Sequence, residues 1–180
     1  MCIRDRLFIL PYFIFSATAG QIADKFERSQ LIRGIKVLEI VIMLIGSAGF
    51  LLGNLWLLLL ALFMMGTHST FFGPIKYAIL PEILKPNELM SGNALFQSGT
   101  SIAILIGMIL GGAVISVSQG NLIWISLTVV IIAVLGYLSS RFILKQQVSS
   151  PDLKIDWNFF RTSFQTLKYA KSLPLIFMIL

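Results

Sequence analysis

The chain has 180 residues, of which 57% are hydrophobic and 12% are charged, and its mean hydropathy is +0.88. This balance excludes an ordinary soluble domain and is typical of a membrane protein. One cysteine and one histidine exclude a disulfide framework and a metal centre built on several thiolates or imidazoles, so no metal and no cofactor are expected. At about 20 residues for each spanning helix, the length allows five or six spans without a separate soluble domain.

The first six residues, MCIRDR, do not match the apolar segment that follows them, and they lack the pattern of a signal peptide. We interpret residues 1–6 as an anomalous N-terminus, either foreign to the chain or preceded by the true start. Residues 7–23 predict a first span, which is short for a full crossing. Four further apolar runs complete a prediction of five transmembrane helices within residues 7–144, and they lie at about 31–52, 55–77, 88–117 and 122–144.

The last part of the chain differs in character, because residues 145–172 are polar and basic. Their apolar side chains recur at helical spacing, at Trp157, Phe160, Phe164 and Leu167. This stripe predicts an amphipathic helix that lies on the membrane surface or packs beneath the bundle, as a cytoplasmic linker. Residues 173–180 begin another apolar run, so we expect the start of a further transmembrane helix, truncated at Leu180, and a chain that is a fragment.

Basic residues fall on alternate connections between the predicted spans. The turns Gly53–Asn54 and Ser118–Asn121 carry none. Ten lie in the other connections and beyond the fifth span: Lys25, Arg28, Arg33, Lys85, Arg141, Lys145, Lys154, Arg161, Lys168 and Lys171. Alternating spans place all ten on one side, which the positive-inside rule makes the cytoplasm. The net charge of +6 therefore belongs to cytoplasmic loops, and no nucleic-acid partner is expected.

The first loop, with the helical turn before it, combines a glycine, an acid and two bases: Gly20, Asp24, Lys25 and Arg28. This spacing permits a tight helix exit and places a carboxylate where it can meet an arginine or a helix N-terminus. The pattern resembles the signature loop between the second and third helices of the major facilitator superfamily, G-x-x-x-D-[RK]-x-G-R-[RK]. Glu27 and Ser29 replace a usual glycine and a usual base. The resemblance implies an all-α membrane fold, here part of the N-terminal helical bundle without its first helix, and a cytoplasmic gate at the four matching residues.

A second stretch, residues 71–112, narrows the resemblance. It reads FFGPIKYAILPEIL and then NELMSGNALFQSGTSIAILIGMILGG, and its most particular block is Gly-Pro-Ile-Lys-Tyr at 73–77. It resembles the lysophospholipid transporters of that superfamily, including those fused to an acyltransferase and an acyl-carrier-protein synthetase. The resemblance implies movement of lysophospholipids, chiefly lysophosphatidylethanolamine, across the bacterial inner membrane for reacylation. The implied partners are this substrate, membrane lipids, the missing C-terminal half of the transporter and a fused or associated acyltransferase.

Lys76 is the candidate cation for such a substrate, because a lysophospholipid carries an anionic phosphate. A lysine at mid-membrane costs about 2.5–3.5 kcal/mol and is normally paired or lines a watery cavity. The alternative is that Lys76 lies near the end of its helix and extends to the lipid headgroups. Tyr77 is either a second substrate contact or an interfacial anchor.

The next helix offers two further features. Asn93, Gln97 and Thr100 share one face at i, i+4 and i+7, where they either line a cleft for the headgroup or hydrogen-bond to other helices. A thin face on which another helix can pack closely is formed by Gly99, Gly107, Gly111 and Gly112.

Three polar residues in other predicted spans, Lys36, Glu39 and His68, are expected to have structural roles. Lys36 and Glu39 have i,i+3 spacing in the first turns of their predicted helix, which favours an ion pair at the membrane interface. His68 stands alone in its span and is expected to be a hydrogen-bonded packing residue rather than a proton relay. No nucleophile or phosphate-cradling motif is present in the sequence, so an enzyme is not expected. Two alternatives stay open: the membrane portion of a bifunctional acyl-carrier-protein synthetase and lysophospholipid acyltransferase, and a facilitator for another amphiphile or drug.

Overall fold

The computed structural model describes residues 3–143, without the side chains of residues 3–5, 13, 17 and 82. Within this range all regular structure is helical, which confirms the all-α prediction. The helices are α1 (Ile3–Lys25), α2 (Arg28–Leu51), α3 (Leu55–Ala78), α4 (Leu80–Ile83), α5 (Leu89–Val117) and α6 (Leu122–Ser140). The predicted linker at 145–172 and the predicted further helix at 173–180 lie outside the described residues.

Four of these helices, α2, α3, α5 and α6, are long and apolar enough to cross a membrane. The first helix is bent by 54° between Arg6–Ser16 and Thr18–Lys25, and it makes a fifth span if the two parts cross together. The helix begins at Ile3, so the backbone of the anomalous N-terminus continues directly into it. The interpretation of residues 1–6 as foreign stays a prediction.

The two uncharged turns are built alike, each from a glycine followed by an asparagine. Gly53 and Gly120 have φ angles of +61° and +76°, a left-handed conformation that favours glycine. Asn54 then accepts hydrogen bonds from the backbone N–H groups of Trp56 and Leu57, and Asn121 accepts one from Ile123. Each asparagine thereby caps the next helix, α3 or α6, which fixes where these helices begin.

The third helix lies at the centre of the packing, with α1 and α2 along two of its sides, and α6 packs on α2. At the predicted cytoplasmic end, α1, α2 and α3 share an apolar core that continues into α4, formed by Ala23, Ile32, Ile75, Ile79 and Leu80. The fifth helix touches α4 and α6 only lightly and has no buried residue among those described. Most of its apolar surface is therefore open.

Candidate functional site

Arg28 joins the first loop to the end of α3. Its Nη1 donates a hydrogen bond to the carbonyl oxygen of Ala78 at 2.7 Å, and its Nη2 lies 3.8 Å from Oδ1 of Asp24. The side chain is buried, and its positive charge complements the negative end of the α3 dipole. The structure thus brings together two of the predicted gate residues.

The other two predicted gate residues make fewer contacts. Lys25 lies with its Nζ 5.9 Å from the ring centre of Phe26, next to it in the loop. Gly20 lies one turn before Asp24, and no atom comes within 4 Å of the position that a Cβ would take there. The role of these residues as a gate stays a prediction.

Glu27 and Arg33 complete the loop in a way that sequence reasoning missed. Glu27 Oε1 accepts a hydrogen bond from Ser29 Oγ at 2.7 Å, so the carboxylate holds the first turn of α2. Arg33 Nη2 donates to the carbonyl oxygens of Ile143 at 3.1 Å and Arg141 at 3.4 Å. Since Arg28 reaches the end of α3 and Arg33 the end of α6, the first turns of α2 tie two helix C-termini together.

Lys76 lies near the end of α3 with its ammonium over two aromatic rings. Its Nζ is 4.8 Å from the ring centre of Tyr77 and 5.6 Å from that of Phe96 in α5. Cation–π contacts of this kind stabilise a partly desolvated ammonium. Among the described side chains no carboxylate pairs with Lys76.

Tyr77 and Gln97, predicted separately on two helices, come together. The Tyr77 hydroxyl donates a hydrogen bond to Gln97 Oε1 at 2.7 Å, and the Tyr77 and Phe96 rings make an edge-type contact with ring centres 6.3 Å apart. This contact joins α3 to α5. Asn93 is exposed, whereas Thr100 Oγ1 donates to the carbonyl oxygen of Phe96 in its own helix at 2.9 Å.

The four glycines of α5 that the sequence singled out lie in different surroundings. Gly99 lies beside Thr100 in the wall of an apolar cavity of about 610 Å³ between α4 and α5. Gly107, Gly111 and Gly112 are exposed, and no described atom comes within 4 Å of a Cβ placed on any of them. No described helix packs closely on them, and their predicted role in helix packing stays a prediction.

A polar cluster lies near the middle of α2 and α3. Lys36 Nζ donates to Glu39 Oε2 at 2.7 Å, and His68 Nε2 lies 3.6 Å from the same oxygen. The predicted Lys36–Glu39 pair is confirmed, but it does not lie in the first turns of its helix, because α2 begins at Arg28 and Glu39 then falls near its midpoint. Its placement at the membrane interface stays a prediction. His68 has no other charged group beside it in its own span, but α2 packs against α3 and brings Glu39 to it.

Lys36 and Lys76 line one cleft of about 430 Å³ where α2, α3 and α6 meet. Its walls include Phe72 of α3, Phe96 of α5 and Gly136 of α6. On α3, His68, Phe72 and Lys76 follow each other at i, i+4 and i+8, so they form one stripe along the helix. This stripe connects the mid-helix cluster to the lysine at the helix end.

The long apolar helices, the buried Arg28 at the end of α3 and the lysine-lined cleft define a multi-pass helical membrane protein with a polar site inside its bundle. The chain belongs to the Major Facilitator Superfamily, whose family profile matches residues 6–180. This confirms the family resemblance seen in the sequence.

Several curated relatives carry the name lysophospholipid transporter LplT. The protein of Cronobacter sakazakii is 30% identical over 113 residues, which are 61% of this chain and 26% of that protein. The protein of Pectobacterium carotovorum is 32% identical over 105 residues, which are 58% of this chain and 24% of that protein. The chain thus spans about a quarter of the length of these relatives. No solved structure matches it.

Proposed function

We propose that this chain forms part of a transporter that moves lysophospholipids, chiefly lysophosphatidylethanolamine, across the bacterial inner membrane to the face where they are reacylated. The observation that carries the proposal is Lys76, an ammonium held on aromatic rings in a cleft that shares wall residues with a second, apolar cavity. The 30–32% identity to proteins named lysophospholipid transporter supports the substrate class.

The two cavities suit the two parts of an amphiphile. The cleft that contains Lys76 shares Ile79, Ile83 and Phe96 with the apolar cavity between α4 and α5. A phosphate headgroup would bind at the lysine, because charge-assisted hydrogen bonds are strong in a site with little water. The single acyl chain would lie along the apolar cavity, whose wall is exposed on α5. A substrate with one charged head and one tail uses both spaces at once.

The cytoplasmic contacts suit a gate that opens and closes. Transporters of this kind bind their substrate between two helical halves and expose it alternately to each side. Arg28 and its contacts with Asp24 and Ala78 lie at the predicted cytoplasmic ends of the helices. In the proposed transporter this network stabilises one of the two states, and the C-terminal half supplies the opposite wall.

The experiment uses the complete gene product that contains this chain, expressed in bacteria that lack their own lysophospholipid importer. Uptake and reacylation of labelled lysophosphatidylethanolamine are compared for wild type, Lys76→Ala and Lys85→Ala at equal membrane abundance. Lys85 is an exposed lysine in the following loop and serves as the matched control. We expect Lys76→Ala to lower uptake by at least about tenfold, since a charge-assisted hydrogen bond contributes about 1.5–3 kcal/mol, and Lys85→Ala to have little effect.

The possible results separate the explanations. No uptake by wild type would contradict the proposed substrate and leave a facilitator for another amphiphile. Uptake that is equal in wild type and Lys76→Ala would keep the substrate and return Lys76 to the headgroup-anchoring alternative.

A further inference from the structure

Lys36 is held inside the bundle in a way that aims its ammonium into the cleft. Its Nζ lies 5.3 Å from the ring centre of Phe72, and it comes within 3.4 Å of the position that a Cβ on Gly136 would take. The absence of a side chain at Gly136 therefore makes room for the lysine between α2 and α6. Lys76 reaches the same cleft from α3.

The charges of the described side chains around the cleft do not cancel. Lys36 and Lys76 line the cleft, and Glu39, which is not one of the lining residues, pairs with Lys36. With His68 neutral, these described groups leave a surplus of one positive charge in a cleft that is otherwise lined mostly by apolar residues. Charges in such surroundings are normally paired, so one bound anion would complete the site.

His68 gives Glu39 a second partner. Its Nε2 is buried and has no hydrogen-bond partner among the described residues, yet it lies 3.6 Å from the oxygen that Lys36 holds. The His68 ring is fixed by stacking on Phe72, with ring centres 5.9 Å apart and planes 13° from parallel. A small movement lets an Nε2–H donate to Glu39 when Lys36 turns away, so releasing the lysine does not leave the carboxylate unpaired.

We propose that Lys36 and Lys76 together bind the phosphate of the ligand, and that Glu39 and His68 are positioning residues that hold Lys36 until the phosphate arrives. This inference rests on the proposed function for its ligand, a lysophospholipid. The chemistry that the two ammonium groups recognise is a phosphate ester, which free phosphate or glycerol 3-phosphate also offers.

The test measures binding to the purified complete gene product in detergent. Labelled lysophosphatidylethanolamine is titrated against wild type, Lys36→Gln, Lys36→Arg and the control Lys85→Gln. We expect Lys36→Gln to weaken binding by at least about tenfold relative to wild type. Lys36→Arg should retain much of the wild-type affinity, and Lys85→Gln should bind as wild type does. A monoacylglycerol of the same acyl chain, which lacks the phosphate, should bind equally to wild type and Lys36→Gln.

Glu39→Gln tests the positioning role. Removing the competing carboxylate frees Lys36, so phosphate binding should tighten by about three- to fivefold while uptake in cells becomes slower. Unchanged or weaker binding by Glu39→Gln would overturn the positioning role.

Competition identifies the source of the phosphate. If an excess of lysophosphatidylglycerol displaces the label but inorganic phosphate and glycerol 3-phosphate do not, the site is a lipid headgroup site. Equal affinity of Lys36→Gln and wild type, or an equal loss for the monoacylglycerol, would overturn the two-lysine site while leaving the proposed transport intact.

If wild type binds no lysophospholipid, the proposed function fails, and labelled inorganic phosphate and glycerol 3-phosphate then decide the site. Binding that Lys36→Gln abolishes supports a phosphate site with a soluble ligand. No binding of either compound by wild type overturns it.

Discussion

At Gly66 the backbone of α3 passes directly against α1. A Cβ added to Gly66 would lie 2.5 Å from the carbonyl oxygen of Phe8 and 3.2 Å from Cγ of Pro11. Contacts of a Cβ below 3.0 Å essentially do not occur, so Gly66→Ala forces α1 and α3 apart by at least about half an ångström. Gly73 lies two turns further along the same helix, and no atom comes within 4 Å of its Cβ position.

The two substitutions should change stability in opposite directions. Overpacking of this kind costs about 1–3 kcal/mol. Replacing a helical glycine by alanine returns up to about 1 kcal/mol through helix propensity. We therefore expect Gly66→Ala to lower the free energy of unfolding by about 0–2 kcal/mol and Gly73→Ala to raise it by up to about 1 kcal/mol.

Unfolding of the complete gene product in mixed detergent micelles, titrated with a denaturing detergent and followed by circular dichroism, measures both effects. Because α1 carries Asp24 to its contact with Arg28, uptake should fall in Gly66→Ala more than in Gly73→Ala. A Gly66→Ala protein at least as stable as Gly73→Ala would show that α1 and α3 do not approach each other as described.

Two further predictions concern polar contacts between elements. Arg28→Gln removes the donor to the Ala78 carbonyl, so it should lower the free energy of unfolding by about 1–3 kcal/mol in the same titration. The control Lys25→Gln should lower it by only about 0–0.5 kcal/mol, and equal losses for the two variants would contradict the capping role of Arg28. A double-mutant cycle with Tyr77→Phe and Gln97→Leu should give a coupling of about 0.5–1.5 kcal/mol, and strictly additive effects would show that the two side chains do not interact.

The sequence by itself was sufficient to predict the helical membrane fold and the family. Hydropathy summed over a span is a local property of about 20 residues, so α2, α3, α5 and α6 could be located without knowing their neighbours. The family resemblance rested on short blocks such as residues 73–77, and the match over residues 6–180 confirmed it. The roles proposed for Lys76 and for the loop at 20–28 remain predictions, because they concern a bound substrate and a change of state.

Only the tertiary structure decided which polar groups meet. Periodicity assigns a residue to a face of its helix, but the helix that covers this face depends on the packing of segments far apart in the chain. Thus Glu39 meets His68 because α2 packs on α3, and Arg33 reaches Ile143 because α6 packs on α2. The position of Glu39 along α2 also depended on the start of this helix at Arg28, within residues that the sequence assigned to a short polar loop. These contacts joined the expected Lys36–Glu39 pair and His68 of another helix into one cluster between α2 and α3.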